Sequence, residues 1–402
     1  MTDGVGTTTL TVAAGLGREL WPADVVYGGI GAAQVAAGVA VQRRPDGGRS
    51  VIAIDALERL RQRFPDAALQ PSSGVLAPPA VNAHTHLDLS DMPYTPGSYE
   101  AFVAAVVRHT RAGARGLAAA ERAVAALRDL GVQRLGDVVT DEAVMARHLA
   151  DADLEGVAYW EVIGPDPGDA ERILRETRER LDRFLAWQRP GGMRVGLSPH
   201  APHTVSAPLL RGLASLARTL RLPLQIHVAE SPGEARLFRD GEGPLRQALG
   251  PYLSSWTVSG TTPVRYLAEL GVLAARPTLV HMVEVDEDDV RLAARAGCPV
   301  VHCPRSNQAL GCGSFPWALF AKHGVSVALG TDSLGSSPDL SPEREWAAAR
   351  SLHGDAASPA QLVWSAVKGG ARALGLAPET VRRGDAFETL RGWGIGPLHD
   401  GR

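Results

Sequence analysis

The chain has 402 residues, 45% of them hydrophobic and 21% charged, which excludes a disordered or collagen-like polypeptide and leaves room for one large domain and a smaller one. Its 41 basic and 44 acidic residues give a net charge of -3 with the arginines scattered, so there is no footprint for nucleic acid and a small-molecule partner is expected. Cys298, Cys303 and Cys312 are an odd, clustered set, and no apolar run approaches the roughly 20 residues of a membrane span, so a cytoplasmic protein without disulfides or membrane contact is predicted.

Residues 1–75 are rich in Val, Gly and Thr, with β-like runs at 10–13, 24–27, 34–42 and 50–54, the pattern of a small β domain. From Val75 onward short apolar runs alternate with longer amphipathic segments. The runs fall at 80–83, 134–139, 157–163, 193–197, 224–228, 278–282, 300–302 and 325–329. The clearest helix is predicted over 169–187, where Ile173, Leu174, Leu181, Phe184 and Leu185 mark one face and Arg and Glu fill the others. Eight βα units in series over 76–376 predict an α/β chain built as a (β/α)8 TIM barrel, with its chemistry at the C-terminal ends of the strands. The tail 377–402 is too short for a domain of its own and shows no clear strand after Gly384.

At the end of the first barrel strand, His84 and His86 stand two apart, so both side chains point to one face of an extended strand. Two imidazoles converging on one point make half of a metal site, although an isolated pair would be read as well as solvated or core histidines. The fifth run ends on His227, with Glu230 three residues later. The sixth offers His281 and the eighth Asp332. Ligand-type residues at four strand ends are the constellation of a metal-dependent active site.

HTH at 84–86, His227 followed by Ala229-Glu230, His281, and Gly330-Thr331-Asp332-Ser333 together resemble the amidohydrolase superfamily, in its nucleobase deaminase and chlorohydrolase branch. SPHAPHTVS at 198–206 and CPRSNQALGCG at 303–313 add to the resemblance, with His203 where the branch commonly has tyrosine. The resemblance implies that His84, His86, His227 and Asp332 bind one divalent metal, zinc or else iron. It also implies that Glu230 shuttles a proton, that His281 and Asp332 orient and deprotonate water, and that His200 reaches the substrate. Binuclear members bridge two metals through a lysine on the fourth strand. The two lysines here, Lys322 and Lys368, lie elsewhere, so one metal per chain is expected. The resemblance further implies that residues 1–75, completed by 377–402, form a small β-sandwich.

The other zinc deaminase pattern, HxE followed by PCxxC, is absent: His302, Cys303 and Pro304 lead into Arg305, and Cys312 comes nine residues after Cys303. Ser306 and Asn307 read as a rim loop. Trp160 and Glu161 fall late in the third strand, where an aromatic could stack on a base and a carboxylate take a hydroxyl, with core packing the alternative for Trp160. The segment 227–251 resembles the aminodeoxyfutalosine deaminases of the futalosine route to menaquinone. This implies an adenine-type nucleoside with a benzoate tail, for which Arg305 and Arg108 are candidate partners. Deamination of S-adenosylhomocysteine or methylthioadenosine, and dechlorination of a triazine, stay open. So does a metal-binding barrel without turnover, against which Glu230 argues. A homodimer is compatible with the sequence.

Overall fold

The computed structural model describes residues 17–28, 34–71, 73–379, 381 and 383–393. The expected run at 10–13 lies outside them. By contacts the chain divides into two compact units, Met1–Pro78 with Thr380–Arg402, and Pro79–Glu379.

The first unit contains β1 (Arg18–Val26), β2 (Gln34–Arg43), β3 (Arg49–Ala56), α1 (Leu57–Arg63), β4 (Ala68–Leu69) and β5 (Ser73–Ala77). In the second unit come β6 (Asn82–Thr85), β7 (Arg134–Val139), β8 (Glu155–Val162), β9 (Met193–Pro199), β10 (Gln225–Val228), β11 (Thr278–His281), β12 (Val300–His302) and β13 (Val327–Leu329). The chain then returns to the first unit with β14 (Arg391–Trp393).

In the first unit the described strands join in one sheet, ordered β14-β5-β1-β2-β3 with β4 also on β1, where two facing sheets were expected. Along β2 the side chains alternate: Val39 and Val41 pack with Val51, Leu76, Phe387 and Leu390, while Ala40 packs with Leu20 and Leu60 of α1. Both faces of the sheet are therefore covered. The expectation of no strand after Gly384 is corrected by β14, which pairs antiparallel with β5 through Arg391 and Ala77, Gly392 and Leu76, and Trp393 and Val75. Three residues are too short a run to show periodicity, so the strand is set by its neighbour rather than by its own composition. A few residues earlier, Ala386 bridges Ser50 and Val51 N donates to Asp385 O at 2.9 Å. One short C-terminal stretch thus touches both edges of the sheet, which must coil to allow it.

In the second unit, β6-β7-β8-β9 and β10-β11-β12-β13 form two four-stranded parallel sheets. Most residues of these strands are buried, as expected of parallel strands covered on both faces. Leu197 bridges Leu224 between the two sheets, and Thr85 of β6 bridges Asp332 just beyond β13. Helices follow every strand: after β6, α2 (Tyr99–Arg111) and α3 (Leu117–Asp129); after β7, α4 (Glu142–Ala150); after β8, α5 (Ala170–Trp187); after β9, α6 (Ala207–Leu220); after β10, α7 (Pro232–Asp240), α8 (Pro244–Leu249) and α9 (Pro263–Glu269). α10 (Glu287–Ala296) follows β11, α11 (Pro304–Ala309) and α12 (Trp317–Lys322) follow β12, and α13 (Pro342–His353) follows β13. α5 buries Leu181 and Phe184 and carries Arg172–Glu176 and Arg178–Asp182 ion pairs on its outer side. No described helix is long and apolar enough to cross a membrane.

Candidate active site

The strands of the second unit end on the residues singled out by the sequence. The Nε2 atoms of His86 and His227 lie 3.2 Å apart and those of His227 and His84 3.3 Å apart. Asp332 Oδ1 is 3.6 Å from His84 Nε2 and 3.7 Å from His86 Nε2. A tetrahedral metal with bonds of about 2.0–2.1 Å needs its ligand atoms about 3.3–3.4 Å apart, close to this spacing.

Hydrogen bonds behind two of the rings decide which nitrogens face inward. His84 Nδ1 donates to Gln225 Oε1 at 2.7 Å, and His227 Nδ1 donates to the carbonyl of His200 at 2.8 Å. Their Nε2 atoms are therefore lone pairs facing each other in a buried space, an arrangement that a cation between them would relieve. The donor set thus fits a divalent metal.

Backbone geometry brings Asp332 to this point. Thr331 N and Asp332 N both donate to His84 O, at 3.0 and 3.1 Å, and Asn82 holds Thr331 through Nδ2–Oγ1 at 2.8 Å and N–Oδ1 at 3.1 Å. Gly330 permits the approach: a Cβ there would lie 2.9 Å from both the Cβ and the carbonyl oxygen of His84. Ala229, His281 and Asp332 have φ of +54°, +75° and +55°. Non-glycine residues in the left-handed region cost energy, and these three lie where strands turn into the site. Asp332 Oδ2 accepts from Ser306 Oγ at 2.7 Å and Ser336 Oγ at 2.9 Å.

Glu230, His281 and Asp332 form a second buried cluster, with ligand-type atoms within 4.8 Å of one another. Glu230 Oε2 lies 3.4 Å from His281 Nε2, and Asn307 Nδ2 donates to His281 Nδ1 at 3.1 Å. Burial, then the charges of Asp332 and Glu234, push the Glu230 carboxyl well above the usual carboxylate range. The Glu230 backbone N–H donates to Glu234 Oε2 at 2.8 Å, which holds this turn in place.

A cavity of about 240 Å³ opens over both clusters, lined by His86, His227, Glu230, His281 and Asp332 and also by Glu161 and His200. His200 Nδ1 lies 2.7 Å from Thr204 Oγ1, and burial pushes its imidazole pKa down to about 3. Arg115, not foreseen from the sequence, also lines the cavity. Its Nε is 2.9 Å from Asp88 Oδ1 and its Nη1 3.7 Å from Glu161 Oε2. It follows α2 in a loop, and no strand periodicity marks it. Gln225 was missed as well, although it stands two residues before His227 and so on the same strand face.

An Amidohydrolase family model matches residues 75–380. The chain belongs to the amidohydrolase family. Among its relatives, the aminodeoxyfutalosine deaminase of Deinococcus radiodurans is 45% identical over 384 residues, 93% of this chain and 90% of that protein. The structure of Helicobacter pylori aminofutalosine deaminase in complex with methylthio-coformycin matches with a TM-score of 0.70 at 20% identity, covering 92% of this chain and 90% of that one. An adenosine deaminase from Xanthomonas campestris with bound zinc matches with a TM-score of 0.63 at 23% identity, covering 91% and 82%. These likenesses give the second unit the amidohydrolase fold.

Three residues expected to meet the substrate do not line this cavity. Trp160 packs outward, 5.2 Å from Phe184 of α5 and with Arg180 over its ring, because adjacent strand residues face opposite ways and Glu161 takes the inward position. Arg305 does not line the cavity: Glu345 Oε1 holds its Nε at 2.5 Å, and Asp339 Oδ1 holds its Nη2 at 2.9 Å. Arg108 is exposed and also stands outside the cavity lining. His203 is buried with Nδ1 3.7 Å from Glu234 Oε1, away from the cavity. His302 stacks on Phe315 at 4.1 Å beneath the rim.

Proposed function

We propose that this amidohydrolase deaminates an adenine-type nucleoside, aminodeoxyfutalosine, and so serves the futalosine route to menaquinone. The observation that carries the reading is the 45% identity to the Deinococcus radiodurans enzyme, which extends along 93% of this chain and 90% of that one. A local match would support only shared metal chemistry, whereas a match this long includes the loops that shape the cavity.

The two bridges between the parallel sheets, Leu197 to Leu224 and Thr85 to Asp332, support a closed (β/α)8 barrel over 76–376. The smaller unit is read as the accompanying β domain, 1–75 completed by 377–402.

His84, His86, His227 and Asp332 would hold one divalent metal, zinc by preference, since three imidazoles and one carboxylate suit zinc or iron better than magnesium. When bound, such a metal acidifies water so that it can act as a nucleophile near neutral pH. The remaining chemistry belongs to the chain. Water oxygen adds to the ring carbon bearing the amino group, the carbon–nitrogen bond breaks, and ammonia leaves. One proton of water ends on the ring nitrogen and the other on ammonia. Glu230, whose environment favours its protonated form, carries a proton at Oε2 to the ring nitrogen. His281 is turned by Asn307 so that its Nε2 side faces Glu230, where it orients the water, and Asp332 accepts a proton at Oδ1. Glu161 and His200 face the bound nucleoside from the third and fourth strands.

The test is ammonia release and the adenine-to-hypoxanthine absorbance change for aminodeoxyfutalosine, adenosine and S-adenosylhomocysteine. A kcat/KM for aminodeoxyfutalosine well above the other two is expected, because remote binding energy in the tail can be used to orient the reacting carbon. Equal turnover of all three would leave deamination standing and reject the substrate.

A further inference from the structure

The cavity is polar at its inner end and apolar along one wall. Tyr99, Phe102, Val103, Val106 and Val107 lie three and four residues apart, so one stripe of α2 forms that wall. At the inner end, Tyr99 lines the cavity together with Glu230. Twelve residues later, about 18 Å along the helix at 1.5 Å per residue, the stripe ends on Arg111. Arg111 Nη2 lies 3.1 Å from Tyr252 Oη, with the guanidinium 6.0 Å from the centre of that ring. Both residues line the outer part of the cavity and an adjoining depression shared with Pro165, Asp166, Ser254 and Ser255.

Arg111 differs from the other basic groups near the site. Arg115 is held by Asp88 and Glu161, and Arg305 by Glu345 and Asp339. Arg122, on the next helix, is bound to Asp91. Among the described residues Arg111 has no carboxylate within 4.0 Å, and its hydrogen-bond acceptor is a phenol hydroxyl that can itself donate to an anion. A ligand bound with its base at the histidines and its body along the α2 stripe would carry its far end to this cation.

We propose that Arg111, assisted by the Tyr252 hydroxyl, is the specificity-determining receptor for a carboxylate on the distal end of the substrate. The ligand class is an adenine nucleoside bearing an aryl carboxylate, so the inference rests on the deaminase reading above. The aryl group lies against the valines of α2, and the carboxylate takes a charge-assisted hydrogen bond from the guanidinium.

The experiment compares kcat/KM for aminodeoxyfutalosine and for its benzoate methyl ester, which keeps the base, ribose and ring but removes the charge. Wild-type enzyme should prefer the acid by about ten- to a hundredfold, the range of one hydrogen bond to a charged group. Arg111 is exposed, and screening by water moves the value toward the lower end. Arg111→Met should bring the acid-to-ester ratio close to one, and Tyr252→Phe should lower it partly. Arg108→Ala, on the same helix but outside the cavity, should keep the wild-type ratio. An undiminished ratio in Arg111→Met, or equal loss on both compounds, would overturn the subsite. So would wild-type enzyme that does not distinguish acid from ester, with deamination itself intact. Wild-type enzyme inactive on both compounds would instead remove the substrate reading on which the subsite rests.

Discussion

Gln225 offers the sharpest test of how the candidate metal centre is built. It is fully buried, and its side chain does two things: Oε1 accepts from His84 Nδ1 at 2.7 Å and Nε2 donates to Ala83 O at 3.2 Å. Gln225→Leu keeps the volume and removes both bonds. His84 would then lose the partner that fixes its Nε2 lone pair toward His227, and loss of such an outer partner lowers metal affinity by about 10–100-fold. That range corresponds to about 1.4–2.7 kcal/mol. The substitution also leaves a buried N–H and a buried carbonyl without partners, at about 1–3 kcal/mol each, so the metal-free protein should be less stable too. The two effects are separated by measuring zinc affinity in competition with a chelator well below the transition of the metal-free variant, and by recording the Tm of that form alone. Gln225→Glu, which retains an acceptor for His84 Nδ1, should keep most of the affinity. Wild-type zinc affinity in Gln225→Leu would refute the account of the inward-facing lone pairs.

Glu230→Gln should retain one metal per chain by elemental analysis and lose about two to four orders of magnitude in turnover, the contribution expected of general acid–base catalysis; near-normal turnover would remove Glu230 from the mechanism. Arg305→Met leaves Glu345 buried without its cation, so a loss of about 3–5 kcal/mol in denaturant unfolding is expected, with no selective change in KM for aminodeoxyfutalosine. Trp160→Ala should cost about 3–5 kcal/mol through the space left against Phe184 while the preference among adenine nucleosides stays put; a changed preference would put the indole in the cavity after all.

Much of the candidate site was legible because its ligand-type residues sit where strand periodicity and strand ends coincide. The run at 134–139 matches β7 and that at 300–302 matches β12, and the segment at 169–187 matches α5 to within one residue. His84 and His86 share a face for the same reason that Trp160 and Glu161 cannot: alternation joins positions two apart and separates neighbours. That parity, applied to the third strand, would have excluded Trp160 from the cavity. Applied to the fifth strand, it would also have placed Gln225 on the same face as His227. Arg305 shows a different limit. An arginine beside a ligand-bearing loop has the chemistry to meet a substrate, and only the packing of Glu345 and Asp339 around it reveals that its donors are already used. Arg115 and β14 lie beyond reach for a third reason, since a loop and a three-residue strand carry no period of their own.

The bonds between Asn82 and Thr331 join positions 249 apart in the chain. During synthesis His84 and His86 are therefore made long before Asp332, and at about 5–20 residues per second the interval is roughly 12–50 s. Throughout that time a growing chain can offer imidazoles to a metal but not the carboxylate, the serines that orient it, or the segment that fastens to β6. The centre is completed only after nearly the whole second unit has been translated. Tightly held metal would then mark chains that have been finished and folded, and a fragment ending before residue 332 would carry the histidines without the centre.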